Sequence, residues 1–326
     1  MHPTLALFQR NVWATERLLN WCRWQPATGT ADSDVYGGVE ANFNHILGAE
    51  TRYLHLLTGE LPADPVSEKT PRSLAELREA GGELAQRWAA LLETERDVDE
   101  LRIHARGGGK EEMPDWVPLV QAVHHGDDHR AQIGTLLGRA GAMTPDLDGW
   151  FFGFEPSSTE TPPKWAETIL KRSTGHHLWA TKRLLEHCRS LSDDQLALSS
   201  DGTYGSILET LHHLVSSDRG YLSRLNRDGL KRPLEIGSLS ALQGHWDRQT
   251  EGWLMYLDSE PDYERTVECG DGWYPAWILV LQSIHHGNEH RTHVGTVLLG
   301  NSIEAPEIDV WSYGDAEGVL RWEPAG

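Results

Sequence analysis

Cysteine is scarce in this chain. Cys22, Cys188 and Cys269 are its three thiols, too few and too scattered for a disulfide framework, and they read as reduced side chains. Positive charge is also short, since 29 Lys and Arg against 49 Asp and Glu leave a formal net charge of −20. Binding that depends on neutralising phosphates needs clustered cations, so nucleic acid and anionic membranes are excluded as natural partners. Long apolar runs are missing. Trp277-Ile278-Leu279-Val280-Leu281 is broken by Gln282, far short of the roughly 20 residues of a membrane span. The start, Met1-His2-Pro3-Thr4, lacks the charged-then-apolar pattern of a secretory signal, so a cytoplasmic protein is expected. Neither a glycine-rich phosphate cradle nor a Gly-x-Ser-x-Gly elbow is present.

What the chain does contain is a copy of itself. Its 326 residues suit two domains better than one, and internal repetition divides them. Trp13-Ala14-Thr15-Glu16-Arg17-Leu18-Leu19-Asn20-Trp21-Cys22-Arg23 returns at Trp179 to Arg189, changed only at Lys182, Glu186 and His187. His45 with Tyr53-Leu54 returns as His213 with Tyr221-Leu222, and Pro145-Asp146-Leu147-Asp148-Gly149-Trp150 as Pro306-Glu307-Ile308-Asp309-Val310-Trp311. The blocks keep their order, which marks a tandem duplication. Residues 1–154 form the first expected domain and 164–326 the second. Residues 155–163, rich in Pro, Ser and Thr, have the composition of a linker.

Each copy reads as four amphipathic helices, near 3–24, 38–58, 72–95 and 114–140, then 163–190, 203–227, 238–258 and 274–300. Leu74, Leu77, Leu84, Trp88 and Leu91, for example, recur at helical spacing. Arg102-Ile103-His104-Ala105 with Gly107-Gly108-Gly109 looks extended and loop-like rather than helical. The expected fold is all-α, two tandem four-helix bundles. Most of the 14 Trp residues read as core filling.

Histidines carry the chemistry. In His124-His125-Gly126-Asp127-Asp128-His129 and His285-His286-Gly287-Asn288-Glu289-His290, a pair four residues apart projects from one helical face about one turn apart. That is chelating geometry. His45 and His213, on the second helix of each copy, supply the third member, giving His45, His125 and His129, then His213, His286 and His290. Three neutral imidazoles suit a catalytic zinc with a position left open. While neighbours drift between copies (Asp127 to Asn288, Gln132 to His293, Asn44 to His212), all three histidines are kept. His124 and His285 are rotated off this face by about 100° and read as supporting residues. Gly48 and Ala49, and Ser216 and Ser217, are small and would leave space above a metal. Gln121 and Gln282 stand one turn before His125 and His286, where they could bond a bound water or an imidazole's outer nitrogen. Asp128 and Glu289, beside the last histidine, are candidates for imidazole orientation or general base work. Glycine after the first histidine excludes the His-Glu-x-x-His zinc proteases, and the glutamates of di-iron bundles are missing.

With His45 in an Asn-His-Ile-Leu setting and His-Gly-x-x-His-Arg-x-Gln from His125 to Gln132, the chain resembles the DinB-like family, which includes the YfiT-type four-helix bundles. The resemblance spans nearly the whole chain as two consecutive domains. It implies a divalent metal in each triad, zinc or nickel first and iron or manganese as further choices. Some relatives are thiol-dependent: bacillithiol S-transferases, mycothiol-dependent maleylpyruvate isomerase and the bundle domain of ergothioneine-forming sulfoxide synthases. Where the family favours His-His-Arg-Gly-Gln, this chain has Asp128-His129-Arg130-Ala131-Gln132 and Glu289-His290-Arg291-Thr292-His293. The implied activity is metal-dependent transfer of a low-molecular-weight thiol to a small-molecule substrate. Hydrolysis by metal-activated water and a non-enzymatic, metal-stabilised binding or stress-response role are the alternatives. Because such single domains tend to pair, the resemblance also implies a pseudo-dimer within one chain, open to further homodimerisation.

Overall fold

Pro3 has no amide hydrogen to leave unpaired, and His2 before it accepts the Thr4 N–H at 3.2 Å, so the chain enters a helix at once. The computed structural model describes residues 1–23, 38–106, 109–155, 161–228, 234, 237–270 and 272–324. Its first half comprises α1 (Pro3–Cys22), α2 (Val39–Thr58), α3 (Leu74–Leu92) and α4 (Trp116–Arg139), then a single turn, α5 (Gly149–Phe152). The second comprises α6 (Ala166–Cys188), a short α7 (Asp193–Leu196), α8 (Ile207–Leu225), α9 (Leu239–Asp258) and α10 (Ala276–Gly300), closed by α11 (Val310–Ala316). The eight long helices fall where the apolar spacing puts them, four to a half. Sequence signals start several of them: Ser73 with Glu76, and Ser206 with Glu209, form capping boxes that satisfy otherwise orphaned amide groups.

Strands are the addition to the all-α expectation. The extended stretch is β1 (Leu101–Arg106), antiparallel to β2 (Gly109–Pro114); β3 (Thr266–Cys269) and β4 (Gly272–Pro275) form the equivalent hairpin. Of the expected glycine loop, Gly107 and Gly108 lie outside the described residues, as do 156–160 of the expected linker. These strands are short, and β2 carries Lys110, Glu111 and Glu112, so no long alternating run announces them. Pro114 closes β2, and α4 begins two residues later.

The halves are interlocked. From the second half, α11 packs against α4 and the final strand β5 (Arg321–Pro324) pairs antiparallel with β2. From the first, α5 packs against α10. Each half thus lends its terminal arm to the other. Asp148 and Asp309 start these arms, accepting the amides of Phe151 and Ser312, both at 2.7 Å. Between them run α4 and α10, packed side by side, with His124, His285, His286 and His290 buried and His125 and His129 half-buried.

Candidate metal centre

Helices α2 and α4 face one another in the first bundle, and α8 and α10 do so in the second. Each facing pair gathers one set of three histidines. His125 Nε2 lies 3.0 Å from His45 Nε2, and the ring of His129 is centred 4.4 Å from that of His125 and 4.5 Å from that of His45. In the second half, His286 Nε2 lies 3.1 Å from His213 Nε2, with the His290 ring 4.3 Å from His286 and 4.8 Å from His213. In each set, one nitrogen per ring falls within 4.8 Å of the others. Nitrogens bound tetrahedrally at about 2.0–2.1 Å from a metal sit about 3.3 Å apart, so the rings stand at nearly the separation a cation would impose.

The protonation states agree with that use. Burial first, then the neighbouring histidines, hold His125 and His286 well below the ordinary imidazole range. Burial also brings His129 down to about 4. Neutral imidazoles keep a lone pair for a metal.

Outer nitrogens are fixed in the first half by groups the sequence reading passed over. His45 Nδ1 lies 3.1 Å from the Glu68 carboxylate, which is ion-paired with Arg52, and His129 Nδ1 lies 3.2 Å from Asn42 Oδ1. A carboxylate behind a ligating imidazole sets its tautomer and strengthens it as a donor. Gly48 makes this contact feasible, because a Cβ there would lie 2.9 Å from Glu68 Cγ. Its smallness serves the supporting carboxylate rather than space above a metal. The second half differs. Thr210 stands where Asn42 does and donates to its own helix at Ser206 O, and His290 Nδ1 is buried with no hydrogen-bond partner.

Beyond the histidines both halves repeat a layer of aromatics. Tyr53 meets His125 edge-on at 5.9 Å, and Tyr221 meets His286 at 5.9 Å. Behind each tyrosine comes a tryptophan from the opposite half, Trp311 at 6.2 Å from Tyr53 and Trp150 at 6.0 Å from Tyr221. Gln121 Oε1 accepts the Val310 N–H at 3.0 Å and Gln282 Oε1 accepts the Gly149 N–H at 2.7 Å. The two glutamines therefore hold the exchanged arms in place, while also contacting Tyr53 and Tyr221. Tyr53, Tyr221, Trp150 and Trp311 all belong to the repeated blocks, which was the one signal that could have singled them out.

Asp128 and Glu289 both lie beside their triads but in different company. Thr292 donates to one oxygen of Asp128, and Gln132 donates to the other at 3.2 Å. Glu289 shares a cavity wall with Ala131, His290 and His293.

His124 and His285 sit at the seam between halves, with His124 Nδ1 3.0 Å from Asn288 Oδ1 and His285 Nδ1 3.2 Å from Asp127 Oδ1. Asn288 also donates to Asp127 at 3.1 Å. Were the two halves identical, two carboxylates would meet there; the change from Asp127 to Asn288 replaces that repulsion with a hydrogen bond. Asp127 is held well below the usual carboxylate range, against its burial, by Arg10 and then by His285 and Arg130. Arg130 further bonds Asn11 and Thr15 on α1, and Arg291 bonds Thr181 and Asn288 in the same manner. The glycine inside each histidine motif is required by this packing: a Cβ on Gly126 would lie 2.3 Å from Asn11 Oδ1, and one on Gly287 2.3 Å from the His177 ring.

The residues present thus fit a divalent cation twice over. The DinB family model matches residues 1–160, and the DinB superfamily model matches residues 176–294. No curated protein matches the chain.

Proposed function

Because the chain belongs to the DinB superfamily as two tandem domains, we propose that it is a metal-dependent enzyme that activates a small thiol and transfers it to an electrophilic substrate. The observation that carries this reading is the convergence of three partly buried imidazoles in each half, with ligand atoms within 4.8 Å of one another. His45, His125 and His129 would hold one cation and His213, His286 and His290 the other, zinc or nickel first and iron or manganese as further choices. A divalent cation bound there supplies Lewis acidity, which favours a thiolate over a thiol and a hydroxide over water.

The chain's own thiols are poor nucleophiles. Burial pushes Cys22 and Cys188 up to about 12, so the attacking sulfur comes from the substrate pair. In the transfer, a bond forms between sulfur and the electrophilic carbon while the bond from that carbon to its leaving group breaks. The leaving group departs with the bonding electrons. The thiol proton passes to a nearby carboxylate, for which Glu289 and Asp128 are the candidates. Gln121 and Gln282 act as positioning residues, through the arms and tyrosines they hold. The reciprocal exchange of arms supports reading residues 1–154 and 164–326 as a dimer fused into one polypeptide.

The test is elemental analysis of the purified protein, followed by turnover with small thiols and an alkyl halide or epoxide. Loss of turnover in a variant carrying both His129→Ala and His290→Ala is expected, and unchanged rates in it would sink the reading. Turnover of an ester without added thiol would assign hydrolysis instead. Bound metal with neither reaction would leave a metal-stabilised scaffold.

A further inference from the structure

We propose that the second half carries a binding site for a quaternary ammonium group, in a cavity between α6, α11 and the β2–β5 sheet. The site is separate from both metal centres, since none of the six triad histidines lines it, and it stands whether or not the triads hold a metal.

The cavity has a volume of about 500 Å³, and small-molecule pockets run to about 300–1,000 Å³. Trp179 on α6, Trp311 on α11 and Trp322 on β5 line it. Glu111, Glu307 and Asp315 stand among these indoles, against Arg183 as the one cation of the lining. Trp322 is 51% exposed, yet its ring is seated: it lies over Gly109, where a Cβ would come within 2.7 Å of it.

The first half shows what this place in the fold accommodates. There Arg17, the equivalent of Arg183, lies over two rings, 5.3 Å from the centre of Trp13 and 5.0 Å from that of Phe151. Trp13 Nε1 in turn donates to Glu155 at 3.1 Å. A cation, two aromatic faces and a carboxylate thus close on one another within the chain. Both halves keep the frame, with Trp13 against Phe152 and Trp179 against Tyr313, each at 5.5 Å between ring centres. The filling is exchanged. Ser312 stands where Phe151 does, Asp315 where Phe154 does and Ala316 where Glu155 does. Two phenyl rings are thereby removed from the arm, and the last strand brings in Trp322 instead. Arg183 lies 5.8 Å from the centre of Trp179, near the outer limit of about 6 Å for such a contact.

The charge and the rings together select the ligand. An indole face holds a cation best when little hydration is lost on contact, which is how aromatic cages recognise quaternary ammonium groups. A primary ammonium brings three donors that require fixed acceptors, whereas Glu307 and Asp315 sit exposed at the rim and attract a cation through space. The same chemistry is offered by a free compound such as choline and by a trimethylated lysine side chain.

Isothermal calorimetry on the full chain tests the site, with choline as the probe and 3,3-dimethyl-1-butanol, its uncharged counterpart in shape, as the control. Choline should bind once per chain and the alcohol should not bind. Trp322→Ala, which removes a half-exposed ring, should weaken choline binding about 3- to 30-fold. Ser312→Phe, which restores the ring of the first half, should abolish it. Arg183→Gln should tighten it, because the resident cation no longer competes for Trp179. N-acetyl-trimethyllysine amide distinguishes the two sources: binding at least tenfold tighter than choline assigns a methylated side chain, and equal or weaker binding assigns a free compound. If neither cation binds, if the alcohol binds as well as choline, or if Ser312→Phe binds choline unchanged, the proposal is overturned.

Discussion

The side-chain oxygen of Gln282 accepts the backbone N–H of Gly149 at 2.7 Å, and Gln121 does the same for Val310 at 3.0 Å, so each bundle grips the arm of the other. Both amides are buried. Leaving such a donor unpaired costs about 1–3 kcal/mol, and the released arm carries the tryptophan that backs the tyrosine beside the histidines. Gln282→Ala should therefore lower the free energy of unfolding by that amount, with a matching fall in the denaturation midpoint, and change the near-ultraviolet dichroism of Trp150. An unchanged midpoint with an unchanged aromatic signal would show that the arm is held by other means.

Glu68 offers a way to address one centre alone. Its carboxylate stands behind His45 at 3.1 Å, and no described residue of the second half plays this part for His213. Removing such a supporting carboxylate typically weakens metal binding about 10–100-fold. In Glu68→Gln, competition with a chromophoric chelator should resolve one weakened site and one unaltered site. If both sites weaken equally, or neither does, Glu68 has no specific bearing on the first triad.

These two contacts also mark where sequence reasoning reached its limit. Apolar residues recurring at helical spacing located the eight long helices, since burial of one face is what stabilises an amphipathic helix. The histidines emerged because the duplication kept them while Asp127, Gln132 and Asn44 changed. Glu68 left no such trace. It lies in the loop after α2, and its reach to His45 depends on Gly48, a residue whose smallness has more than one explanation. The arms were visible as repeated blocks around Trp150 and Trp311. Which bundle each would join was not, because a repeat identifies equivalent segments and says nothing about their partners. Of the hairpins only the extended stretch within β1 was legible, because strands of four to six residues leave little periodicity to detect.

Metal removal should destabilise the fold measurably. Each triad bridges two helices, α2 to α4 and α8 to α10, and a cation that binds only the folded chain stabilises it by about 2.7 kcal/mol at a concentration 100 times its dissociation constant. Dialysis against a strong chelator should lower the midpoint of thermal unfolding, and added zinc should restore it. In a variant combining His125→Ala with His286→Ala, chelation should make no difference. A midpoint indifferent to chelator in the unaltered protein would mean that neither triad binds a metal tightly.

His177 links stability to pH in a way the first half does not share. Its ring is 1% exposed, bonded to Asp218 at 3.2 Å and packed against Arg291 and Trp246. Burial lowers its pKa below the ordinary 6.5, partly offset by Asp218. The folded chain therefore keeps this ring neutral where the unfolded chain protonates it. Its contribution to stability is whole above pH 6.5 and is lost as pH falls from there toward the lower folded value. Within that window each pH unit costs about 1.4 kcal/mol for the one extra proton bound by the unfolded state. The equivalent residue in the first half is Asn11, which donates to Glu50 at 2.9 Å and carries no titrating ring. His177→Asn should thus flatten the fall in unfolding free energy between pH 6.5 and 5 by up to about one proton's worth, with the remaining slope coming from the other buried histidines. Denaturant titrations at a series of pH values measure this difference directly, and parallel curves for the two proteins would show that His177 is not held neutral by the fold.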